Sequence, residues 1–271
     1  MKNVYGKNIF VSGATSGIGK LCAETLAKEG NNVIGVGLGE DENTRKIGKG
    51  TLHIIPLDVT NLDDIEKVFE NIDKVDIAVL CAGFGIAGPA EIMPNEYARK
   101  QMDVNYFGVL NLCNKILPIM RKQKRGLVVA ISSVAGRVPL PMQCHYSSSK
   151  YALEAYLEAV RIEMKDFNVK TCLVEPGDTK TGFTSARKTY NPEGNPYYYV
   201  CKRSVNRMAH DEQYGKTPES VVDVIIKVIG KKNPPVRTAV GFSYKFACFL
   251  IKMLPSKFVD SILYKIYMPK R

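Results

Sequence analysis

Short apolar runs along the chain alternate with longer segments in which apolar residues recur at helical spacing. The runs are rich in Val, Ile and Leu, which is typical of strands buried on both faces of a sheet. The predicted strands are Asn8–Val11, Asn32–Val36, Leu52–Pro56, Ile77–Leu80, Leu127–Ile131, Lys170–Val174 and the weaker Val236–Val240. The predicted helices are Gly17–Glu29, Asn61–Asn71, Asn95–Lys122, Tyr146–Phe167 and Pro218–Gly230.

This alternation predicts a doubly wound α/β fold, because right-handed crossovers place helices on both faces of one parallel sheet. A chain of 271 residues with 45% apolar content can bury a full core as one large domain, which we place at residues 1–241. Seven cysteines stand singly without a CxxC pair, so we expect neither a zinc site nor a disulfide framework, and we assign no metal. The chain enters its first strand without a secretory apolar region, and we expect a cytoplasmic protein.

The formal net charge is +11, which raises the question of a nucleic acid or an anionic membrane as a partner. The Lys and Arg residues are spread along the chain, and no nucleic-acid recognition motif accompanies them. We therefore expect no nucleic-acid partner and interpret the charge as a solvated basic surface that also favours anionic cofactors.

A glycine-rich loop follows the first predicted strand and opens a helix. In such a loop the glycines allow a tight turn and close approach of a pyrophosphate, which the free N–H groups of the helix start then face. A plain strand-to-helix turn is the alternative, since short glycine patterns recur by chance. Two further turns follow at strand ends, although an isolated Asp there is often a helix cap. The loop is Gly13-Ala14-Thr15-Ser16-Gly17-Ile18-Gly19, and the turns are Asp58-Val59 and Cys81-Ala82-Gly83.

Tyr146 and Lys150 are four residues apart, which places both side chains on one face of a helix. A cation beside a phenol favours the phenolate, so we expect the pKa of Tyr146 to fall from about 10 toward neutral pH, where it can exchange a proton with a hydroxyl or carbonyl group. Ser133 ends the preceding strand and can reach the same substrate oxygen. The pair alone is commonly a surface contact, but the Ser and the upstream glycine loop favour the catalytic interpretation.

Together these motifs resemble the short-chain dehydrogenases/reductases over Lys7 to about Phe183. The resemblance implies a Rossmann-like domain, a nicotinamide cofactor and the catalytic residues Asn105, Ser133, Tyr146 and Lys150. In that family the Ser orients the substrate oxygen and the Tyr is the general acid/base. The Lys binds the nicotinamide ribose and lowers the pKa of the Tyr, and the Asn helps to hold a water on the proton path.

The resemblance also implies a set of cofactor contacts, with two departures from the family pattern. Cys81 stands where the family usually has an Asn that steadies the central sheet, and Ser12 stands where it usually has Thr. The implied cofactor contacts are Gly13, Thr15, Ser16, Gly17, Ile18, Gly19, Leu38, Asp58, Val59, Cys81, Ala82, Gly83, Tyr146, Lys150, Pro176, Gly177, Thr179 and Thr181.

The residues that distinguish NAD from NADP should lie at the end of the second strand. Gly37 stands where NAD-selective members carry Asp, and Leu38 where many NADP-selective members carry Arg. Arg45 or Lys46 in the following loop could reach a 2′-phosphate, whereas Glu40-Asp41 would oppose it. We expect a slight preference for NADP(H), with NAD(H) as the alternative.

In the family a segment after the sixth strand closes over the substrate, and here it spans about residues 178–216. Its aromatic residues indicate a bulky apolar substrate, although they could equally pack the segment onto its own domain. Val138-Pro139-Leu140-Pro141-Met142 and Gly83-Phe84-Gly85 resemble the hydroxysteroid and retinol dehydrogenase branch. Smaller ketones, sugars or ketoacyl groups are the alternative substrates, and a nucleotide-sensing protein without catalysis is the alternative class.

Residues 242–271 extend beyond the common family core and have apolar residues at helical spacing with interspersed lysines. This pattern predicts two amphipathic helices broken at Pro255, which either lie on an anionic membrane surface or pack on the active-site mouth or a partner subunit. The family resemblance also implies a homo-oligomer through the helices at 95–122 and 146–167.

Overall fold

The structure is a computed structural model and describes residues 6–268, so the outermost parts of the predicted domain and extension, residues 1–5 and 269–271, lie outside it. The strands are β1 (Asn8–Ser12), β2 (Asn32–Gly37), β3 (Asn43–Ile47), β4 (Gly50–Pro56), β5 (Ile77–Leu80), β6 (Ile86–Ala87), β7 (Gly126–Ile131), β8 (Val169–Glu175), β9 (Lys188–Thr189) and β10 (Arg237–Ala239). The helices are α1 (Gly17–Lys28), α2 (Leu62–Phe69), α3 (Asn95–Met102), α4 (Gly108–Gln123), α5 (Cys144–Glu163), α6 (Phe183–Ala186), α7 (Tyr198–Gln213), α8 (Pro218–Ile229), α9 (Phe242–Met253) and α10 (Ser256–Tyr267).

The central sheet has the strand order β10-β8-β7-β5-β1-β2-β4-β3. All of its neighbouring strands pair in parallel except β3 and β4, so the predicted doubly wound α/β fold is confirmed. On one side of β1 lie β2, β4 and the edge strand β3, and on the other side lie β5, β7, β8 and β10 in chain order. The strand order therefore reverses between β1 and β5, which is where ligands bind in open α/β sheets.

Two hydrophobic cores cover the two faces of this sheet. Successive side chains of a strand point to opposite faces, and Phe10 and Val11 of β1 accordingly belong to different cores. Val11 packs with residues of α1 and α8, whereas Phe10 packs with residues of α2, α4 and α5. Both side chains are almost fully buried, which fixes the register of β1 and hence the position of the glycine loop that follows it.

The segment expected to be a loop at residues 43–47 is instead β3, an antiparallel edge strand. It reaches β4 through the two-residue turn Gly48-Lys49, in which Gly48 has φ +59°. The strand has the sequence Asn-Thr-Arg-Lys-Ile and half-buried positions alternating with exposed ones, so it lacks the apolar run that identified the other strands. Arg45 consequently lies on a strand and not in a free loop.

The helix predicted at 95–122 contains a π-helical turn, Asp103–Phe107, between α3 and α4. Asn105 lies within this turn and is fully buried. Widened turns of this kind often occur at functional sites, because the extra residue redirects a side chain away from the regular helical position. The helix predicted at 146–167 is α5, which ends at Glu163 and is followed by a 3-10 turn.

The segment at residues 178–216 contains α6, β9 and α7, and β9 pairs with β6 in a separate two-stranded sheet. After β10 the chain forms α9 and α10, which are separated at Leu254-Pro255 as predicted. The two helices pack against β10 and α7, respectively. Among the described residues, none of the helices is long and apolar enough to cross a membrane.

Candidate active site

A cavity of about 400 Å³ opens at the carboxyl ends of β1, β5, β7 and β8. It brings together most of the residues that the sequence motifs singled out, although they come from distant parts of the chain. The predicted site residues that line it are Gly13, Ser16, Gly17, Ile18, Gly19, Cys81, Ala82, Gly83, Ser133, Tyr146, Lys150, Pro176, Gly177, Thr179 and Thr181.

The glycine loop has the shape of an anion cradle at the start of α1. Gly13 and Gly17 have positive φ values of +67° and +52°, a conformation that side chains rarely adopt. A Cβ atom on Gly19 would lie 2.2 Å from the carbonyl oxygen of Gly13, so the helix start requires glycine there. A Cβ atom on Gly17 would instead meet open space, which leaves the helix N-terminus accessible. These features fit the pyrophosphate of a dinucleotide.

The hydroxyl of Ser12 holds the turn after β5 against the glycine loop. Its Oγ accepts hydrogen bonds from the backbone N–H groups of Cys81 at 3.1 Å and Ala82 at 3.2 Å, and the side chain is fully buried. The turn is therefore fixed to β1 even though the Asn that the family usually has at position 81 is absent. Burial raises the pKa of the Cys81 thiol to about 12, so this cavity-lining side chain is uncharged.

Tyr146 lies near the start of α5 with its side chain facing the cavity and only 8% exposed. Burial raises the pKa of Tyr146 to about 12, and a hydrogen bond with Ser133 partly opposes this shift. The pKa of Tyr146 is therefore raised and not lowered as expected, because burial outweighs any support from Lys150, whose Nζ lies 5.9 Å from the centre of the Tyr146 ring. Tyr146 is consequently a neutral phenol at physiological pH.

Lys150 is one turn further along α5 and is 5% exposed. Its Nζ donates a hydrogen bond of 2.8 Å to the carbonyl oxygen of Ile131, at the end of β7. Burial lowers the pKa of Lys150 to about 8, which keeps a substantial fraction charged near neutral pH but makes the charge easy to lose in alkali. The lysine is therefore a pH-sensitive cation at the edge of the cavity.

Asn105 shapes the turn after β5 from behind and does not line the cavity. Its side chain accepts a hydrogen bond of 3.0 Å from the N–H of Phe84 and donates to the Phe84 carbonyl and to Ser149 Oγ. Gln101 was not singled out by the sequence patterns, but its side-chain amide forms similar hydrogen bonds. It accepts one from the N–H of Ile86 and donates one to the carbonyl of Phe84. Both amides come from the region of the π-helical turn, so this turn fixes the backbone of the cavity wall.

Four residues expected to contact the cofactor lie away from the cavity. Asp58 is exposed, and its Oδ1 accepts hydrogen bonds from the backbone and side chain of Thr60, which is the local turn contact that an isolated Asp commonly makes. The expected contacts outside the cavity lining are Thr15, Leu38, Asp58 and Val59.

A cluster of charged residues follows β2, where the adenosine end of a dinucleotide would lie. Glu40 forms ion pairs with Lys20 at 3.2 Å and with Arg45 at 3.3 Å. A Cβ atom on Gly37 would lie 2.6 Å from the hydroxyl oxygen of Thr15, so an Asp at this position would force Thr15 to move. The site therefore has two cations that share one carboxylate, and it lacks the acid typical of NAD selectivity.

Two tyrosines from the C-terminal helices, Tyr244 and Tyr267, line the cavity. The sequence patterns did not single out Tyr244, and they gave Tyr267 only as part of the apolar spacing of the second amphipathic helix. The ring of Tyr244 lies directly over Gly177, where a Cβ atom would come within 2.2 Å of it. Its hydroxyl donates a hydrogen bond to the carboxylate of Asp178 and accepts one of 3.1 Å from the Asp178 N–H. The C-terminal extension is thus part of the cavity wall, which matches the predicted alternative that it packs on the active-site mouth.

Residues of the segment at 178–216 close the opposite side of the cavity. The ring of Phe183 lies 5.6 Å from that of Tyr146, measured between centroids. The guanidinium of Arg187 forms an ion pair with Glu212, whose other oxygen accepts a hydrogen bond from Thr184. This contact joins α6 to α7 and holds Phe183 over the site. Within residues 6–268, no group of three or more His, Cys, Asp or Glu side chains is arranged to hold a metal ion.

Comparisons with known proteins agree with this geometry. Residues 7–191 match the family model described as short chain dehydrogenase. The chain is 38% identical to a 3-ketodihydrosphingosine reductase of Bacteroides thetaiotaomicron, covering 86% of this chain and 87% of that protein. It is 32% identical to an NADPH-dependent 3-dehydrocapnine reductase of Ornithobacterium rhinotracheale, covering 94% and 95%. A short-chain dehydrogenase structure from Streptomyces avermitilis superimposes with a TM-score of 0.78 at 27% identity, covering 98% and 97%.

Replacing Ser12 by Ala should destabilise the fold, because the N–H of Ala82 would lose its buried partner. We expect the free energy of unfolding to fall by about 1–3 kcal/mol in urea titrations. Ser16→Ala is the matched control, since Ser16 is exposed and its side chain caps nothing at the start of α1. Equal stability of the Ser12 and Ser16 variants would contradict the role given to Ser12.

Proposed function

The chain belongs to the short-chain dehydrogenase family, and we propose that it reduces the carbonyl group of a lipophilic ketone with a nicotinamide cofactor, NADPH in preference to NADH. One observation carries this proposal: a buried Tyr146, its partner Ser133 and a buried Lys150 face the same cavity as the glycine loop. The reverse oxidation of the alcohol uses the same groups, as it must for a reversible reaction.

In this proposal Ser133 and Tyr146 bind the substrate oxygen, and Tyr146 transfers the proton to it. A bound nicotinamide supplies the hydride. Tyr146 is protonated at neutral pH because burial raises its pKa, so it is ready to act as the acid in the reductive direction. When the proton leaves, the Lys150 ammonium on the same helix face stabilises the resulting phenolate.

The lipophilic substrate class rests on the cavity walls. Aromatic and aliphatic side chains line the same cavity as Tyr146, among them Phe84, Leu140, Phe183 and Tyr244. The two relatives compared above are named for substrates with a long-chain character, 3-ketodihydrosphingosine and 3-dehydrocapnine. We therefore propose a long-chain aliphatic ketone ahead of a hydroxysteroid, with smaller carbonyl or ketoacyl compounds as the alternative.

The preference for NADPH rests on the charged cluster after β2. Lys20 and Arg45 provide two cations, and Gly37 beside Thr15 carries no acidic side chain that would repel a 2′-phosphate. Glu40 weakens this preference because it pairs with both cations and cancels one of their two charges. The relative from Ornithobacterium rhinotracheale is named as NADPH-dependent, which agrees with this assignment.

Three further features complete the proposal: a cytoplasmic location, a homo-oligomer, and contact of residues 242–271 with a membrane surface. Membrane contact would bring the protein to its substrate, because long-chain ketones partition into bilayers.

Replacing Tyr146 by Phe should remove the proton donor and leave the cavity shape intact. We expect kcat/KM for NADPH-dependent reduction of 3-ketodihydrosphingosine to fall by at least about 10²-fold, while the Kd of NADPH stays within about twofold. Tyr151→Phe is the matched control, because Tyr151 lies on the same helix and is 42% exposed.

The substrate panel should also contain a keto steroid, retinal and a short-chain ketone, each measured with NADPH and with NADH. Retention of activity by the Tyr146 variant would contradict the catalytic assignment. Binding of NADPH without turnover of any ketone would instead favour a nucleotide-sensing protein.

The rate of reduction should depend on the charge of Lys150. Its pKa is about 8, so the ammonium form prevails below that pH and is lost above it. We expect kcat/KM to decline above about pH 8 in profiles measured from pH 6 to 10. In Lys150→Arg, which retains its charge throughout this range, the decline should move to higher pH. A decline at the same pH in both proteins would assign it to another group.

Replacing Glu40 by Gln should strengthen the preference for NADPH, because Lys20 and Arg45 would be released toward the 2′-phosphate. We expect the ratio of the Kd of NADH to that of NADPH to rise by about fivefold at low salt and by less at high salt. Glu42→Gln is the control, since Glu42 contacts His53 and neither of these cations. An unchanged ratio would exclude the cluster as the 2′-phosphate site.

A further inference from the structure

The outer face of α9 and α10 is apolar and exposed. Phe242 is 84% exposed, Phe249 61% and Met253 70%, and large apolar side chains are exposed on α10 as well. We define the docking face by Phe242, Phe246, Phe249, Met253, Phe258 and Ile262. Several large exposed apolar side chains on two successive helices are typical of an interaction site.

The spacing of these residues separates them from the side of α9 that packs on the protein. Phe242, Phe246, Phe249 and Met253 follow one another at three or four residues and form one stripe. The opposite stripe contains the buried Cys248 and the half-buried Tyr244. The helix is therefore apolar on two opposite sides, which is expected when a second apolar surface covers the outer one.

The charges beside the docking face identify the covering surface. Residues 242–267 contain four lysines, Lys245, Lys252, Lys257 and Lys265, and a single acid, Asp260, which gives a net charge of 4 − 1 = +3. Two copies of this chain in contact through the face would bring their lysines together, which opposes such a dimer. An anionic lipid surface complements both the phenylalanines and the lysines.

The helices that carry the docking face also contribute to the cavity wall. Tyr244 of α9 and Tyr267 of α10 line the cavity, and Tyr244 is two residues from both Phe242 and Phe246 on the same helix. The cavity wall and the outer face thus belong to the same pair of helices. Each helix has 12 residues and a length of about 18 Å, so it lies in the lipid interface and does not span it.

We propose that the docking face binds the surface of an anionic bilayer, and that the C-terminal extension delivers the lipophilic ketone from that surface to the cavity. The binding part specifies the residues and the lipid charge of the membrane contact named above, and its test needs no catalytic activity, whereas the delivery part rests on the proposed function. The phenylalanines enter the acyl region, the lysines contact anionic headgroups, and the ketone reaches Tyr146 through the cavity whose wall includes Tyr244 and Tyr267.

Binding is tested by co-sedimentation of the full chain with phosphatidylcholine vesicles that contain or lack phosphatidylglycerol. We expect binding to the anionic vesicles, with a loss of about fivefold in the partition coefficient for each lysine replaced in Lys257→Gln and Lys265→Gln. The double variant Phe246→Ser/Phe249→Ser should lose at least about tenfold. Ile162→Ser/Leu62→Ser is the matched control, because both side chains are exposed on other helices.

Delivery is tested with the same variants by NADPH oxidation. The Phe246→Ser/Phe249→Ser variant should lose about tenfold in rate with 3-ketodihydrosphingosine in anionic vesicles and retain its rate with a water-soluble short-chain ketone. The second substrate also reports that the variant is folded and that the proposed function holds. If the unaltered protein turned over neither ketone, the proposed function would be contradicted, whereas the vesicle-binding measurement would remain valid.

Two outcomes would overturn the proposal. The first is an absence of vesicle binding by the unaltered protein, accompanied by a dimer in light scattering that the double Phe variant dissociates; the face would then join two copies of the chain. The second is vesicle binding that is the same in the double Phe variant and in the control variant, which would assign membrane contact to the basic surface in general.

Discussion

Burial of Tyr146 and Lys150 on one helix face is the constraint on which the site depends. Both groups lose most of their contact with water, so the pKa of the phenol rises and that of the ammonium falls, and each is displaced toward its neutral form. The carbonyl at the end of β7 holds the lysine in place, which ties the sheet to the cavity. The strand order makes this contact possible, because β1, β5 and β7 are neighbouring parallel strands whose carboxyl ends lie at the same edge of the sheet.

The parts of this arrangement that could be predicted from sequence are those governed by local patterns. Buried parallel strands appear as Val- and Ile-rich runs, and the spacing of Tyr146 and Lys150 puts them on one face of a helix whatever surrounds it. The edge strand β3 was missed because its polar residues follow no apolar run and its pairing with β4 depends on tertiary structure. The π-helical turn around Asn105 was also missed, since one extra residue in a helical turn leaves the apolar periodicity nearly unchanged.

The direction of the Tyr146 pKa could not be predicted from spacing, because it depends on how completely the surrounding chain excludes water. Phe183 and Tyr244 come from segments far from Tyr146 in sequence, and both line the cavity that encloses it. A lysine four residues away stabilises the phenolate only when its ammonium is close, because the attraction falls with distance. Burial among aromatic side chains destabilises the phenolate wherever the lysine stands. The balance in this structure favours a neutral acid, which is the form that reduction of a carbonyl requires.

The same enclosure links chemistry to the C-terminal helices. A ring over Gly177 is possible only because that position has no side chain, and the Asp178 carboxylate then anchors the ring through its hydroxyl. The two sides of α9 therefore differ in role, because Tyr244 on the inner side contributes to the cavity wall and the outer apolar residues face away from the protein. A catalytic domain whose cavity wall is also the base of an exposed apolar surface suits a substrate that water dissolves poorly, because such a substrate can pass between two apolar environments with little exposure on the way.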